Sequence, residues 1–402
     1  MLEKPLDEIG AEDVERLQSN GVPESLSLDY KQVLPGNADD DRKEFLADVS
    51  SLANASGGDL IFGVVETREN GKGTGIPERI DGLKDIAPDA EILRLENMLR
   101  DGIAPRIPGV RLRRIDGFAE GPVLIVRVPR SWAGPHMVTY KQHSRFYARN
   151  SAGKYALDVF EIRRAFLESG SLGDRAKEFR TERLGRILAG ETPARLTKSS
   201  VVCVHFIPHA AFAGAQDIDL KLVADRRGSL APLYSEGHSG TFNLDGYLTS
   251  MQQSGRATSV SYLQVFRSGA LETVSSELVG PSESGAGLRV PSLAIANELD
   301  RFLRTAIELM KAVEVDPPAS IFISLLDVKG AVVAISPRLS IQRNESATPF
   351  DRDNLLFRDV LLREWAATDS RTLLRPMLDE MWQAAGMTRC FDYDDQGIWN
   401  PR

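Results

Sequence analysis

Cysteine is nearly missing from this chain: Cys203 and Cys390 are the only two among 402 residues. Two thiols close one disulfide at most and cannot build a cysteine-rich zinc site, so a reduced, cytoplasmic setting is expected. Long apolar runs are missing as well. The best ones, 201–208 and 321–326, are strand-sized, against the roughly 18 residues that a membrane helix needs. The first residues, Met1-Leu2-Glu3-Lys4-Pro5-Leu6-Asp7-Glu8, carry no apolar stretch of the kind that directs export. The nucleotide-binding pattern G-x-x-x-x-G-K-[ST] does not occur, and Gly71-Lys72-Gly73-Thr74-Gly75 reads as a flexible turn. Short-period repeats and low-complexity tracts are also lacking.

What remains is ordinary globular usage, 42% hydrophobic and 26% charged, in a length that suits two or three domains. The net charge of −8 hides an uneven distribution. Residues 1–103 hold 11 Lys and Arg against 23 Asp and Glu, whereas residues 104–164 hold 12 against 4. The basic block interleaves its cations with Trp132, Tyr140, Phe146, Tyr147 and Tyr155. Cations among aromatics suit a phosphate backbone with stacked bases. Arg111, Arg113, Arg114, Lys141, Arg145, Arg149 and Lys154 are therefore the candidate nucleic-acid contacts, with a solvated basic face as the plainer account. His136 lies in the same block; His205 and His209 read as structural histidines, and Trp365 and Trp382 as core residues.

Hydrophobic spacing organises the chain. Leu26 to Val33 alternates and predicts a strand, placing Asp29 and Lys31 on one face roughly 7 Å apart. Asp39, Asp40 and Asp41 supply a helix N-cap, and Phe45, Leu46, Val49, Leu52 and Ala53 give that helix its apolar stripe up to Gly57-Gly58. Asp59 to Glu66 reads as one nearly continuous buried strand with Glu66 at its exit. Helices are predicted at 89–101 and 156–168, and strands at 110–115, 123–129 and 143–149. A separate charged helix connects at 170–191. The expected division is a first domain over 1–170, a connecting helix within 171–196 and a second α+β domain over 197–402. In that second part, strands are expected at 201–208, 218–224, 240–248, 259–277, 320–326 and 331–335, with a long helix at 291–315.

The residues with chemistry in them are Glu24, Asp29, Lys31 and Glu66. A carboxylate and a lysine two apart on one strand face form the local arrangement of many metal-dependent nucleases. The carboxylate helps to hold a hard divalent cation and the lysine neutralises developing phosphate charge. A third carboxylate from a neighbouring strand would complete a magnesium site. The spacing taken alone is a weak signal, because an acid-x-lysine pattern arises readily by chance in so acidic a chain.

Glu24-Ser25-Leu26-Ser27-Leu28-Asp29-Tyr30-Lys31, followed by Ala53-Asn54-Ala55-Ser56-Gly57-Gly58-Asp59-Leu60-Ile61-Phe62-Gly63-Val64-Val65-Glu66, resembles the Schlafen AlbA-type (AlbA_2) domain of prokaryotic Schlafen-like proteins. Phe146-Tyr147-Ala148-Arg149-Asn150-Ser151-Ala152 and the stretch from Asp158 to Phe166 match later segments in the same order. The resemblance implies an α+β fold, with an N-terminal mixed-sheet domain followed here by a second α+β domain. It implies a metal-dependent endoribonuclease acting on tRNA or similar structured RNA. Glu24, Asp29 and Glu66 match the acidic triad that holds Mg2+ or Mn2+, and Lys31 matches the motif lysine. Asp29 stands where glutamate is more usual, and Asp59 and Glu69 are other acids near the third position. The zinc cluster and helicase extension of animal Schlafens have no counterpart in these residues. Prokaryotic members are linked to phage defence, so a phage-derived or other trigger sensed by residues 197–402 is an expected partner.

Under that reading Glu24, Asp29, Lys31 and Glu66 cleave a phosphodiester while the basic strip holds the RNA, and a homodimer would supply a joint groove. The alternative is a non-catalytic DNA- or RNA-binding regulator that keeps the basic strip and needs no metal.

Overall fold

A computed structural model describes residues 2, 4–69, 72–150, 153–213, 217–252, 257–281, 287–335, 346–365 and 369–401. The chain divides into two compact units, Met1–Ser171 and Leu172–Arg402. Each unit has its own mixed or antiparallel sheet, and the whole is α+β.

The first unit contains α1 (Ala11–Ser19), β1 (Leu28–Lys31), α2 (Asp39–Ala53), β2 (Gly58–Phe62), β3 (Val64–Glu69) and β4 (Lys72–Ile80). It continues through α3 (Pro88–Gly102), β5 (Ile103–Ala104), β6 (Arg111–Ile115), β7 (Val123–Val128), β8 (Met137–Tyr140), β9 (His143–Asn150) and β10 (Gly153–Ala156). One sheet runs β1-β2-β7-β6, with β1 parallel to β2 and the other pairs antiparallel. A second, antiparallel sheet runs β10-β9-β8-β5, and β3 pairs with β4 as a hairpin of its own.

The central sheet is apolar on both faces. Leu60, Phe62, Leu124 and Val126 pack under α2 with Phe45, Leu46, Val49 and Leu52. Ile61, Ile125 and Val123 face Leu6, Ile9 and Val14 on the other side. Strand alternation then sorts the charged residues. Asp29 is level with Leu60 and so lies on the α2 side, while Asp59 is directly opposite Arg127 on the other. Asp59 is fully buried there, takes Arg127 in two hydrogen bonds of 2.8 and 3.0 Å, and accepts the Leu2 N–H at 2.7 Å. That pairing takes Asp59 out of contention as a third site acid.

Local departures from the sequence expectations have identifiable causes. The three aspartates at 39–41 form the first turn of α2 rather than its cap, which is Ala38. The strand expected over 59–66 breaks at Gly63, whose φ of 99° diverts the chain out of the sheet into the β3–β4 hairpin. The Gly-Gly pair before β2 is a steric requirement: a Cβ on Gly57 would stand 2.5 Å from the Arg130 nitrogen, and one on Gly58 would collide with the Ser27 carbonyl. Just before them, Asn54 receives the His136 N–H at 2.7 Å and donates to the carbonyls of His136 and Tyr147 at 2.9 Å, tying the end of α2 to the second sheet.

One helix, α4 (Val159–Leu188), stands where two were expected. Asp158 caps it, accepting the Glu161 N–H at 2.8 Å while Glu161 accepts the Asp158 N–H at 3.0 Å. Nothing in Gly170–Gly173 interrupts it, because glycine weakens a helix without forbidding it.

The second unit is built on an antiparallel sheet of β12 (Ser239–Asn243), β13 (Gly246–Gln252), β14 (Ser259–Phe266), β15 (Leu271–Ser275), β11 (Val201–Pro208), β18 (Ala319–Leu326) and β20 (Leu355–Leu356) in that order, with β21 (Val360–Leu362) also on β18. A small sheet joins β16 (Gly280–Pro281), β17 (Leu288–Val290) and β19 (Val332–Val333). In place of the strand expected at 218–224 stands the short helix α5 (Leu220–Asp225), which Asp219 caps through hydrogen bonds from the Lys221 and Leu222 N–H groups. One sheet face carries the main core with α6 (Ser292–Ala312) and α7 (Ser370–Ala384), where Trp382 is buried and Trp365 packs at the margin. The other face, covered by the later turns of α4, contains a sealed polar cluster. Glu272 accepts two hydrogen bonds from Arg183 (2.8 and 2.9 Å), one from Tyr262 (2.8 Å), and lies 3.0 Å from His205. Burial works against its ionisation, but the Arg183 and His205 contacts hold its carboxyl down at about 2. Burial also pushes the neighbouring Cys203 thiol well up, so this cysteine is inert.

Candidate functional site

β1 brings four of the singled-out charges together. Asp29 is almost fully buried; its Oδ1 receives Lys31 Nζ at 2.8 Å and its Oδ2 receives an Arg149 nitrogen from β9 at 2.5 Å. Lys31 also lies 3.7 Å from Asp48, and Lys154 on β10 reaches Asp48 at 2.8 Å and pairs with Glu44. The result is an alternating chain of charge from β1 across α2 to the second sheet.

Asp48 was not anticipated from the sequence, although a signal for it existed. It falls at the 3–4 spacing of the α2 stripe, between Phe45 and Leu52, where an acid is buried unless it has partners. Burial raises the Asp48 carboxyl against the opposing pull of Lys31 and Lys154.

Glu24 precedes β1 and turns back onto it. One of its carboxylate oxygens accepts the Tyr30 N–H at 2.7 Å, and its carboxyl shares a hydrogen bond with Asp29. Burial, that shared bond and the Asp29 charge push Glu24 up to about 8. Asp29 goes the other way: burial opposes its ionisation, but Lys31, the Glu24 hydrogen bond and Arg149 hold it below the usual carboxylate range. Two neighbouring carboxyls are thus driven apart in acidity, Asp29 downward and Glu24 up to about 8.

Glu66 comes from the β3–β4 hairpin, at a register irregularity beside Pro77. Such bulges re-aim side chains, and the Glu66 carboxylate turns inward to accept the Gly75 N–H at 3.1 Å. Residues 72–75 were expected to be a flexible turn; they belong to β4, and their glycines make room for carboxylates. A Cβ on Gly73 would stand 2.5 Å from the Glu66 oxygen, and one on Gly75 would press on the Glu24 side chain at 3.3 Å. The Glu24 N–H donates to the Gly75 carbonyl at 2.7 Å, so the two glutamates flank one strand.

The three acids expected to share Mg2+ or Mn2+ are near one another but do not converge. Among the described residues no three His, Cys, Asp or Glu side chains are placed to hold one ion. Both oxygens of Asp29 are already on cations, and Glu66 faces a backbone N–H. This donor set does not match a three-carboxylate metal centre.

The expected nucleic-acid contacts are largely occupied within the protein. Arg113 donates to the Leu6 carbonyl, Arg114 pairs with Asp116 at 3.3 Å, and Lys141 pairs with Asp39. Arg149 and Lys154 belong to the charge chain just described, so neither is a free surface cation. Arg111 is exposed on β6 opposite Arg127, and Arg145 is exposed on β9. His136 is buried, with Nδ1 2.7 Å from the Pro105 carbonyl and its basicity lowered by burial, which removes it as a phosphate contact.

The family model for the Schlafen AlbA_2 domain matches residues 24–158. Two solved structures show some similarity. The DIP2311 protein of Corynebacterium diphtheriae is 20% identical over 36% of this chain and 26% of its own, with a TM-score of 0.24. The N-terminal domain of a RecG-related protein from Nitrosomonas europaea is 24% identical over 31% of this chain and 74% of its own, with a TM-score of 0.23. The chain thus spans about a quarter of the length of the Corynebacterium protein. Comparison with curated proteins gives no match. Among the described residues no helix is long and apolar enough to cross a membrane.

Proposed function

We propose, from the premise that residues 24–158 are a Schlafen AlbA_2 domain and hence nucleic-acid related, that this domain cleaves RNA at the Glu24–Asp29–Lys31 cluster. The observation that carries the reading is Glu24 next to a lysine-held Asp29, two neighbouring carboxyls with opposite acidity shifts. A group at about 8 exists in both forms near neutral pH, which suits proton transfer. As a carboxylate, Glu24 takes the proton of a ribose 2′-OH while that oxygen bonds to phosphorus. The P–O5′ bond breaks, and the protonated carboxyl returns a proton to the departing oxygen. Asp29 stays ionised and fixes Lys31, whose cation faces the growing charge on the phosphoryl oxygens. A 2′-OH nucleophile restricts the reaction to RNA, and tRNA or a similar structured RNA is the proposed substrate.

The test is incubation of the full chain with total tRNA and with single-stranded DNA, in Mg2+, in Mn2+ and in chelator. Cleavage of RNA alone is expected, with Glu24→Gln slower by about 10²–10⁴ and RNA binding retained. Intact RNA under every condition overturns cleavage and leaves the non-catalytic binding reading. Cleavage that is strictly ion-dependent and survives in Glu24→Gln overturns the proton-transfer role.

A further inference from the structure

With the anticipated basic strip largely tied up internally, further exposed cations of the first unit lie at the start of α4. The first turns of α4 expose Val159, Phe160, Phe166 and Leu167, with Phe160 81% and Phe166 54% accessible. Arg163 and Arg164 stand exposed between these side chains, and among the described residues no acid pairs with either. The nearby acids are engaged: Asp158 and Glu161 cap the helix, and Glu161 also accepts the Tyr155 hydroxyl at 3.0 Å. Phe166 meets Phe146 edge-on at 5.9 Å, which fixes its ring. Further along, Ser169 donates to the Trp132 carbonyl at 3.3 Å, bringing in a loop where the Arg130 guanidinium lies 4.0 Å over the Trp132 ring.

We propose that this surface, Phe160, Arg163, Arg164 and Phe166 with Arg130 and Trp132 beside them, binds an unpaired stretch of RNA. The inference rests on reading the domain as an RNA-handling one and adds where, and in what form, the RNA is held. Exposed rings separated by unpaired guanidiniums offer stacking to bases and charge to phosphates within the same helix turns. A two-fold pairing of this face with a second copy would instead set Arg163 and Arg164 near their own equivalents. An apolar partner would leave both arginines uncompensated. A polyanion carrying flat bases satisfies both halves of the surface, and a paired duplex, with its bases stacked inside, satisfies only one.

Fluorescence anisotropy tests this with labelled oligo(U) and a fully paired RNA hairpin, both in chelator. The full chain is expected to prefer oligo(U). Phe160→Ala should weaken oligo(U) binding about tenfold, with Phe160→Trp restoring it. Arg163→Gln together with Arg164→Gln should flatten the salt dependence of log K by about 1.4. Arg114→Gln, whose cation is already paired, should change affinity less than about twofold. Unchanged oligo(U) affinity in both Phe160→Ala and the arginine variant overturns the surface. So does a loss of dimer in Phe160→Ala with RNA affinity intact, which would make this face a self-interface. Glu24-dependent cleavage alongside Phe160-independent binding sinks the surface alone. Phe160-dependent binding without cleavage sinks the proposed reaction alone.

Discussion

Each unit buries a carboxylate on a strand beneath a helix and holds it with an arginine, yet the two arrangements differ in how they close. Glu272 is sealed: Arg183 occupies it in two hydrogen bonds, Tyr262 and His205 take what remains, and the residue has no exposure at all. Asp29 is held by Arg149 and Lys31, but its surroundings stay incomplete. Among the described residues, two nitrogens of Arg149, Nε and Nη1, are buried without a hydrogen-bond partner, Lys31 remains one-third exposed, and Glu24 retains a labile proton. A network with every group satisfied stiffens a fold. One with unspent hydrogen-bonding capacity and a group titrating near neutrality has something left to offer a substrate.

The comparison can be broken most directly by removing the arginines. Arg183→Met strands Glu272 in an apolar interior and is expected to destabilise the second unit by about 3–5 kcal/mol in urea unfolding. Arg149→Met leaves Lys31 on Asp29 and should cost about 1–3 kcal/mol. Equal losses would mean that the two clusters are the same kind of object.

Acidity sharpens the contrast, because the signs are opposite. Glu272 has a depressed carboxyl, so its contribution is complete above about 4.5 and is lost as pH falls towards 2. Glu24 has a raised one, so its contribution is complete below about 4.5 and is lost as pH rises through 8. Thermal melts should therefore show Glu24→Gln matching the parent at pH 4 and exceeding it at pH 9. A Glu24→Gln curve parallel to the parent across that range would remove the labile proton from the argument.

The smallest effect concerns space. Gly73→Ala places a methyl 2.5 Å from the Glu66 carboxylate oxygen, which must swing away from the Gly75 N–H. About 1 kcal/mol of stability should be lost in urea unfolding. Unchanged stability in Gly73→Ala would show that the Glu66 contact to the Gly75 N–H contributes nothing to the hairpin.

Much of this was written in local spacing. α2 and β1 followed from the alternation of Leu28 and Tyr30 and from the stripe at Phe45, Val49 and Leu52, and the same alternation placed Asp29 and Lys31 together. What escaped were properties of pairing between distant segments. Lys154 reads as a surface cation because its partner, Asp48, lies on a helix more than a hundred residues away, whereas Arg149 reads equally as a phosphate contact or as an ion pair to the acidic half, with nothing local to name Asp29 as its partner. The glycines of 73–75 read as a turn because composition cannot reveal that two carboxylates need the volume. Residues 220–225 went to a helix because Asp219 caps them, a local preference that outweighed their alternation.

The strand β12 has a practical consequence for anyone handling the protein. It forms one edge of the large sheet, and Ser239, Gly240, Thr241 and Phe242 are exposed along it without a single charged side chain. Natural edges are commonly blunted by lysine, proline or a bulge, and this one has none of them. Among the described residues no strand lies beyond it, so its outer backbone groups can accept a strand from a neighbour that comes close, and crowding is expected to set the ceiling on working concentration. Binding curves and melts belong at the dilute end, where the chain meets its ligand before it meets itself.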